Sequence, residues 1–316
     1  MNSIPNRQVI CETLLELAKT DRDIMVLASD SRGSAAMAPF ANAYPEQFVE
    51  VGIAEQNIVG MSAGLAHSGK KPFVTSPACF LSMRSIEQIK VDVAYSNTNV
   101  KLIGISGGVS YGALGMSHHS VQDLAVARAI PGLAVMMPAD RHETKKMTEA
   151  LVQYEGGVYV RIGRNPVEDV YPSYDYPFEI GKAVTMREGT DVTIIGAGET
   201  VRVALDAADR LAEDGVSARV LNMHTIKPLD EESIVKAARE TGRIITVEEH
   251  SIYGGLGAAV AEVVVQHYPV PVNIVGIPDE PAIAGKTAEV FRHYGISAAH
   301  IQQLAHQLMN KQRART

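Results

Sequence analysis

Apolar segments of strand length alternate with helical segments twice along this chain, and one acidic, proline-punctuated stretch separates the two series. In the first series Val9, Ile10, Leu14, Leu15 and Leu17 repeat at helical spacing ahead of a strand expected at 24–28. Further strands are expected at 47–51, 72–76, 100–105, 133–137 and 158–162, with helical patterns between them. The second series reads strand 192–196, helix 201–213, strand 218–221, helix 231–240, strand 244–248, helix 257–265, strand 272–276 and a closing helix after Ser297. Strands and helices alternating in this way imply mostly parallel sheets covered on both faces. The expected fold class is therefore α/β, built as two three-layer domains. Pro166, Pro172 and Pro177 interleaved with Glu168, Asp169 and Asp175 mark the break. Domains are expected over residues 1–165 and 191–316, joined by a linker and lead-in at 166–190.

A length of 316 residues with 46% hydrophobic content supports two buried cores. The balance of 29 basic against 36 acidic residues gives a net charge of −7, and no basic run interrupts it, which excludes nucleic acid as the expected partner. Small phosphorylated molecules remain compatible, because a few local arginines and backbone amides suffice to hold them. Cys11 and Cys79 lie in apolar patterns without metal-ligand spacing, as structural thiols in a reducing cytoplasm would. Residues 1–7 carry no signal-peptide apolar region and no stretch approaches 18 uncharged apolar residues, so a soluble, cytoplasmic protein without membrane contact is expected.

Against this background the run Val51-Gly52-Ile53-Ala54-Glu55-Gln56-Asn57 stands out. Gly52 supplies a sharp turn from strand to helix, Ile58, Met61 and Leu65 share a helical face, and Glu55 falls in the first turn. A carboxylate there is favoured as an anion by the helix dipole, whereas apolar surroundings would raise its pKa. Taken alone, Glu55 reads as the carboxylate of any exposed helix start. The loop Ser29-Asp30-Ser31-Arg32-Gly33-Ser34 reads either as a turn or as a set of phosphate donors. The glycine-rich segment 106–119 is long for a connection in a compact domain, a property of functional loops. Gly196-Ala197-Gly198 lacks the third glycine of a dinucleotide turn, and Gly254-Gly255-Leu256-Gly257 reads as the start of a helix.

Gly-Ile-Ala-Glu-Gln-Asn followed by a small-residue helix resembles the thiamine diphosphate site of the transketolase family, in the half that binds the aminopyrimidine ring. The segment Pro72-Phe73-Val74-Thr75-Ser76, continued by Phe80, Arg84, Gln88 and Ile89, matches the family stretch whose aromatic ring stacks on that cofactor. The resemblance spans essentially the whole chain and implies a thiamine diphosphate-binding, pyrimidine-type domain followed by a transketolase C-terminal-like domain. It implies that Glu55 bonds the ring nitrogen N1′ and so promotes loss of the thiazolium C2 proton. Phe80 would stack on the ring and Asp30 would belong to the cofactor site. Arg7, Ser34 and Arg164 would hold the donor's phosphate, where a guanidinium fork anchors the remote end of a sugar. His118, in Gly115-Met116-Ser117-His118, would act at the reacting carbons and touch the donor's hydroxyls.

Departures from the family pattern concentrate at the sugar end. Ala113 and Leu114 stand where an acidic pair normally reads the second-carbon hydroxyl, Ser106 replaces a histidine, Pro77 replaces a frequent aromatic and Met83 replaces a frequent tyrosine. A leucine accepts no hydrogen bond, so sugar discrimination should be altered. The family's Gly-Asp-Gly diphosphate motif is absent from the sequence, so no metal ligand is expected on this chain. The Mg²⁺ site and the diphosphate domain are expected on a partner, an N-terminal transketolase-like subunit, in an α2β2 heterotetramer with two copies of this chain at its centre. The resemblance thus implies one subunit of a two-chain transketolase that moves a two-carbon ketol group from a ketose phosphate, an unusual sugar, to an aldose. Two other readings stay open at this point: the β subunit of a 2-oxo acid dehydrogenase decarboxylase, and a degenerate homologue without catalysis.

Overall fold

The computed structural model describes residues 4–313, so the outermost three residues of each expected domain span lie outside the described residues. Strands β1 (Ile24–Ala28), β2 (Phe48–Glu50), β3 (Lys71–Pro77), β4 (Lys101–Ile105), β5 (Ala134–Met136) and β6 (Val158–Arg161) form a parallel sheet. The following segment supplies β7 (Val184–Arg187), β8 (Val192–Gly196), β9 (Ala218–Asn222), β10 (Thr225–Lys227), β11 (Ile244–Ser251) and β12 (Val272–Ile277). Five of these make a second sheet in the order β12-β11-β8-β9-β7, parallel except for the antiparallel edge strand β7. Residues of β1, β4 and β8 are buried throughout. That burial follows from helices on both faces and explains why these strands read as continuous apolar runs instead of alternating ones.

The sixth, β10, leaves its neighbours and pairs antiparallel with β5, so the first sheet runs β10-β5-β6-β4-β3-β1-β2. Lys227, at its end, donates its Nζ to the carbonyls of Arg128, at 2.9 Å, and Ile130, where the helix Asp123–Ala129 stops. Other polar contacts join the two segments. Asn222 donates to both oxygens of the buried Glu143, at 2.9 and 3.0 Å, and to the Tyr171 hydroxyl oxygen at 2.8 Å. One continuous apolar core includes Leu27, Val59 and Leu102 from the first segment and Ile195, Leu221 and Val260 from the second.

Parallel β-strands deliver their loops to one edge of the sheet, and ligands of open α/β sheets bind there. In the first sheet those loops are 29–34 after β1, 51–54 after β2, the segment that follows β3, 106–120 after β4 and 162–165 after β6. Asp30, Ser34, Glu55, Phe80, His118 and Arg164 lie on these loops or on the helices they open into. Arg7 arrives from the helix Asn6–Leu17.

Candidate functional site

Gly52 adopts φ 70°, a left-handed conformation that glycine takes without strain, and this bends the chain out of β2 into the helix Glu55–His67. Glu55 is thereby the first helical residue, and only 5% of it is exposed. Its carboxylate is held by Arg84, whose guanidinium donates to both oxygens at 3.1 Å. Arg84 comes from the end of the helix Ala78–Arg84, one turn after Phe80, and its guanidinium lies 4.2 Å from the Phe80 ring centroid. Together with Ile53, Ala54, Gln56 and Asn57, Glu55 and Arg84 line a pocket of 440 Å³.

From Phe80 a line of contacts crosses to the far side of the sheet edge. The His118 ring packs edge-on against Phe80, with centroids 5.3 Å apart, and against Tyr111 at the same separation. The Arg164 guanidinium in turn sits 5.1 Å from the Tyr111 ring. Arg7 completes the line: it donates to the Ser34 carbonyl, and its pKa is lowered by burial first and by the charge of Arg164 second. The buried Arg7 Nε and one terminal nitrogen of Arg164 have no hydrogen-bond partner. Two guanidiniums near enough to repel, with donors left over, form a site in which an anion would be stabilised.

Seven of the sequence-selected positions thus meet in one path: Glu55, Phe80, His118, Arg164, Arg7 and Ser34 directly, and Ser106 at the buried root of the loop that carries His118. Asp30 stands apart from it. Its side chain is exposed and its N–H donates to Glu50 at 2.7 Å. Leu114 and Met116 project from the His118 loop, 54% and 44% exposed. Sequence reasoning grouped Arg84 with the Phe80 segment but did not make it the partner of Glu55, and it did not find Glu249, whose carboxylate binds that loop from the second sheet. The available signal was Glu248-Glu249-His250, three polar residues closing a buried strand. The turn at 254–257 is a helix start, as expected, and Glu248 fills it by accepting from Leu256 at 2.7 Å and Gly257 at 2.8 Å.

Residues 2–168 match the model for the transketolase pyrimidine-binding domain, and residues 181–301 match that for the transketolase C-terminal domain. The chain belongs to the transketolase family. It is 54% identical to a subunit of the apulose-4-phosphate transketolase of Phocaeicola vulgatus, over 98% of this chain and 99% of that one. It is 37% identical to a 6-deoxy-6-sulfo-D-fructose transketolase subunit of a Clostridium species, over 98% and 96%. Among solved structures, a split-gene transketolase described as an inactive β4 tetramer superposes with a TM-score of 0.89 at 38% identity, covering 97% of this chain and 99% of that chain.

The transketolase cofactor fits what this chain offers. A buried acceptor, Glu55, lies beside an aromatic face, Phe80, and a planar cation already bridges the two. An aminopyrimidine is likewise planar, and it would present its ring nitrogen to the Glu55 carboxyl group and its face to Phe80. Among the described residues no group of His, Cys, Asp and Glu is arranged to hold a metal ion, and no helix is long and apolar enough to cross a membrane.

Proposed function

We propose that this chain is the second subunit of a split, thiamine diphosphate-dependent transketolase, active when an N-terminal-type subunit supplies the diphosphate and Mg²⁺ site. The observation that carries the reading is the unbroken path from the Glu55 carboxylate through Phe80 and His118 to the paired guanidiniums of Arg7 and Arg164. The cofactor, when bound, supplies the nucleophilic carbon that carries a two-carbon ketol group between sugars. Glu55 would bond the ring nitrogen N1′ and so favour the imino form of the ring, Phe80 would stack on the ring, and Asp30, off this path, would approach the cofactor from the loop after β1. Arg7, Ser34 and Arg164 anchor a remote anionic group and so orient the reacting carbon. His118 stands between these ends, where its imidazole meets the donor's hydroxyls.

The substrate is an unusual ketose bearing a phosphate or another terminal anion. Relatives named for apulose 4-phosphate and for a sulfonated fructose support this, and so does Leu114 in place of a hydrogen-bonding side chain. The assembly is an α2β2 tetramer, and the buried free thiols Cys11 and Cys79 suit a cytoplasmic enzyme. The test is ketol transfer by this chain with its partner subunit, Mg²⁺ and cofactor, across a panel of ketose phosphates and their dephosphorylated forms. Transfer confined to anionic donors is the expected result. Equal use of neutral sugars would rule out the anion-binding role of the arginines, and no transfer from any ketose would rule out the function.

A further inference from the structure

Consecutive side chains of a strand point to opposite faces, and β11 uses this at its buried end. Glu248 turns towards its own domain, where it caps the helix Leu256–His267. Glu249 turns the other way, into the first domain. Its Oε1 accepts the Val109 N–H at 2.8 Å, and Arg161 donates to its carbonyl at 2.6 Å and its Oε2 at 3.3 Å. The other arm of Arg161 reaches Asp123 at 3.4 Å, and Asp123 accepts the Tyr159 hydroxyl at 2.7 Å. Glu249, Arg161 and Asp123 are all at most 3% exposed.

Val109 is the first residue inside a closed loop. Gly108 and Ser120 exchange backbone bonds of 3.0 and 2.8 Å across its base, and His118 lies within the ring they close. The root of the loop packs directly on this cluster, with no room for a side chain between them. A Cβ on Gly107 would lie 2.3 Å from Arg161 Cγ, and one on Gly108, at φ 60°, would lie 2.2 Å from Glu249 Cδ. The far side of the loop rests on the second domain, since the Gly285 N–H donates to the Gly112 carbonyl at 3.4 Å. A buried ion pair is no stabiliser in itself, because desolvation offsets its attraction and an apolar replacement is often as stable. An apolar pair, however, could not accept the Val109 N–H.

We propose that Glu249 is a positioning residue for ketol transfer: through Val109 it fixes the glycine-rich loop in the shape that sets His118 against Phe80. The C-terminal domain, which contributes no residue to the path between Glu55 and Arg7, thereby acts on the reaction. This inference rests on the transketolase reading, and its test has one arm independent of that reading.

In the free chain, amide exchange over residues 107–119 should be about tenfold or more faster in Glu249→Ala, with the β8 and β9 amides unchanged. Glu249→Gln keeps a carbonyl for Val109 and should stay within about threefold of the wild type. In the complex with the partner subunit, Glu249→Ala should lower donor kcat/KM by about 10–100-fold while the cofactor's half-saturation stays constant, and Gln should restore it. Should the Ala variant fail to fold, Gly108→Ala disturbs the same contact from the loop side and carries both arms. Unchanged loop exchange overturns the proposal. So does exchange that rises equally across the second sheet, or a loss that is the same for Ala and Gln. A wild-type complex without ketol transfer would instead defeat the functional reading, and the exchange arm would still decide whether Glu249 holds the loop.

Discussion

The end of the site around Glu55 and the seam beneath the His118 loop are built in opposite ways. At the seam, Arg161, Asp123, Glu249 and Val109 satisfy one another and water has no access. Around Glu55, the carboxylate is buried, but Arg84 beside it is 49% exposed by side chain, and Ile53 and Met83 are 72% and 54% exposed. One region is complete within the chain. The other is finished only when something covers it, which is what a cofactor shared between two subunits requires. The contrast teaches that this chain is closed and self-satisfied beneath the His118 loop and open around Glu55, the arrangement that the proposed sharing of a cofactor with a second subunit calls for.

The widest separation between the two regions should come from Glu55→Ala in the assembled enzyme, which lowers turnover about 10²–10⁴-fold without changing the chain's melting temperature. Steady-state rates beside thermal melts check this, and near-normal turnover would refute the role of Glu55. A change of stability without loss of turnover is expected outside both regions, in the core between the first sheet and the segment before β7. His224 stacks on Phe178 at 4.5 Å, and burial lowers its pKa to about 4 from 6.5. The unfolded chain therefore takes up this proton first as pH falls, so the stabilisation is complete above pH 6.5 and is lost towards pH 4. The full loss is on the order of 3 kcal/mol. Relative to wild type, His224→Gln should gain stability on going from pH 6.5 to pH 4 by about this amount, as read by paired denaturant melts at successive pH values, and an identical pH dependence in the two proteins would contradict it.

Leu114→Asp tests the sugar end between the two regions. It should shift relative kcat/KM by about tenfold towards ordinary ketose phosphates, measured by competition between donors. The smallest effect on the chain itself is expected from Ile53→Ser, within about 0.5 kcal/mol of wild-type stability. The same substitution should weaken binding to the partner subunit several-fold in titration. Unaltered affinity would show that this face is not where the subunits meet.

How much of this was legible in the sequence follows the same division. The strands β1, β4 and β8 announced themselves because burial on both faces leaves uninterrupted apolar runs. The Glu55 and Phe80 segments were legible because their chemistry depends on local order: a turn, a helix start, an aromatic one step away. The seam was not. Glu249 and Val109 are 140 positions apart, and nothing in either neighbourhood names the other. Arg84 was visible as part of a motif, yet its pairing with Glu55 depends on how two helices are set side by side. The edge strands β7 and β10 were missed because neither fits the alternation of strand and helix: β7 is only half-buried within the lead-in, and β10 follows β9 with no helix between them.

The strand β10 also limits how this polypeptide can be divided. It belongs by position to the second segment and by hydrogen bonding to the first sheet, where it covers the outer edge of β5. Cutting the chain in the linker would strip that edge, leaving unpaired backbone groups on β5 as a template for aggregation. A fragment meant to hold the cofactor half alone would need to retain Thr225–Lys227, and with it the whole of β8 and β9 that lead there. A cut at this linker therefore leaves the β5 edge covered only for as long as the two fragments stay together.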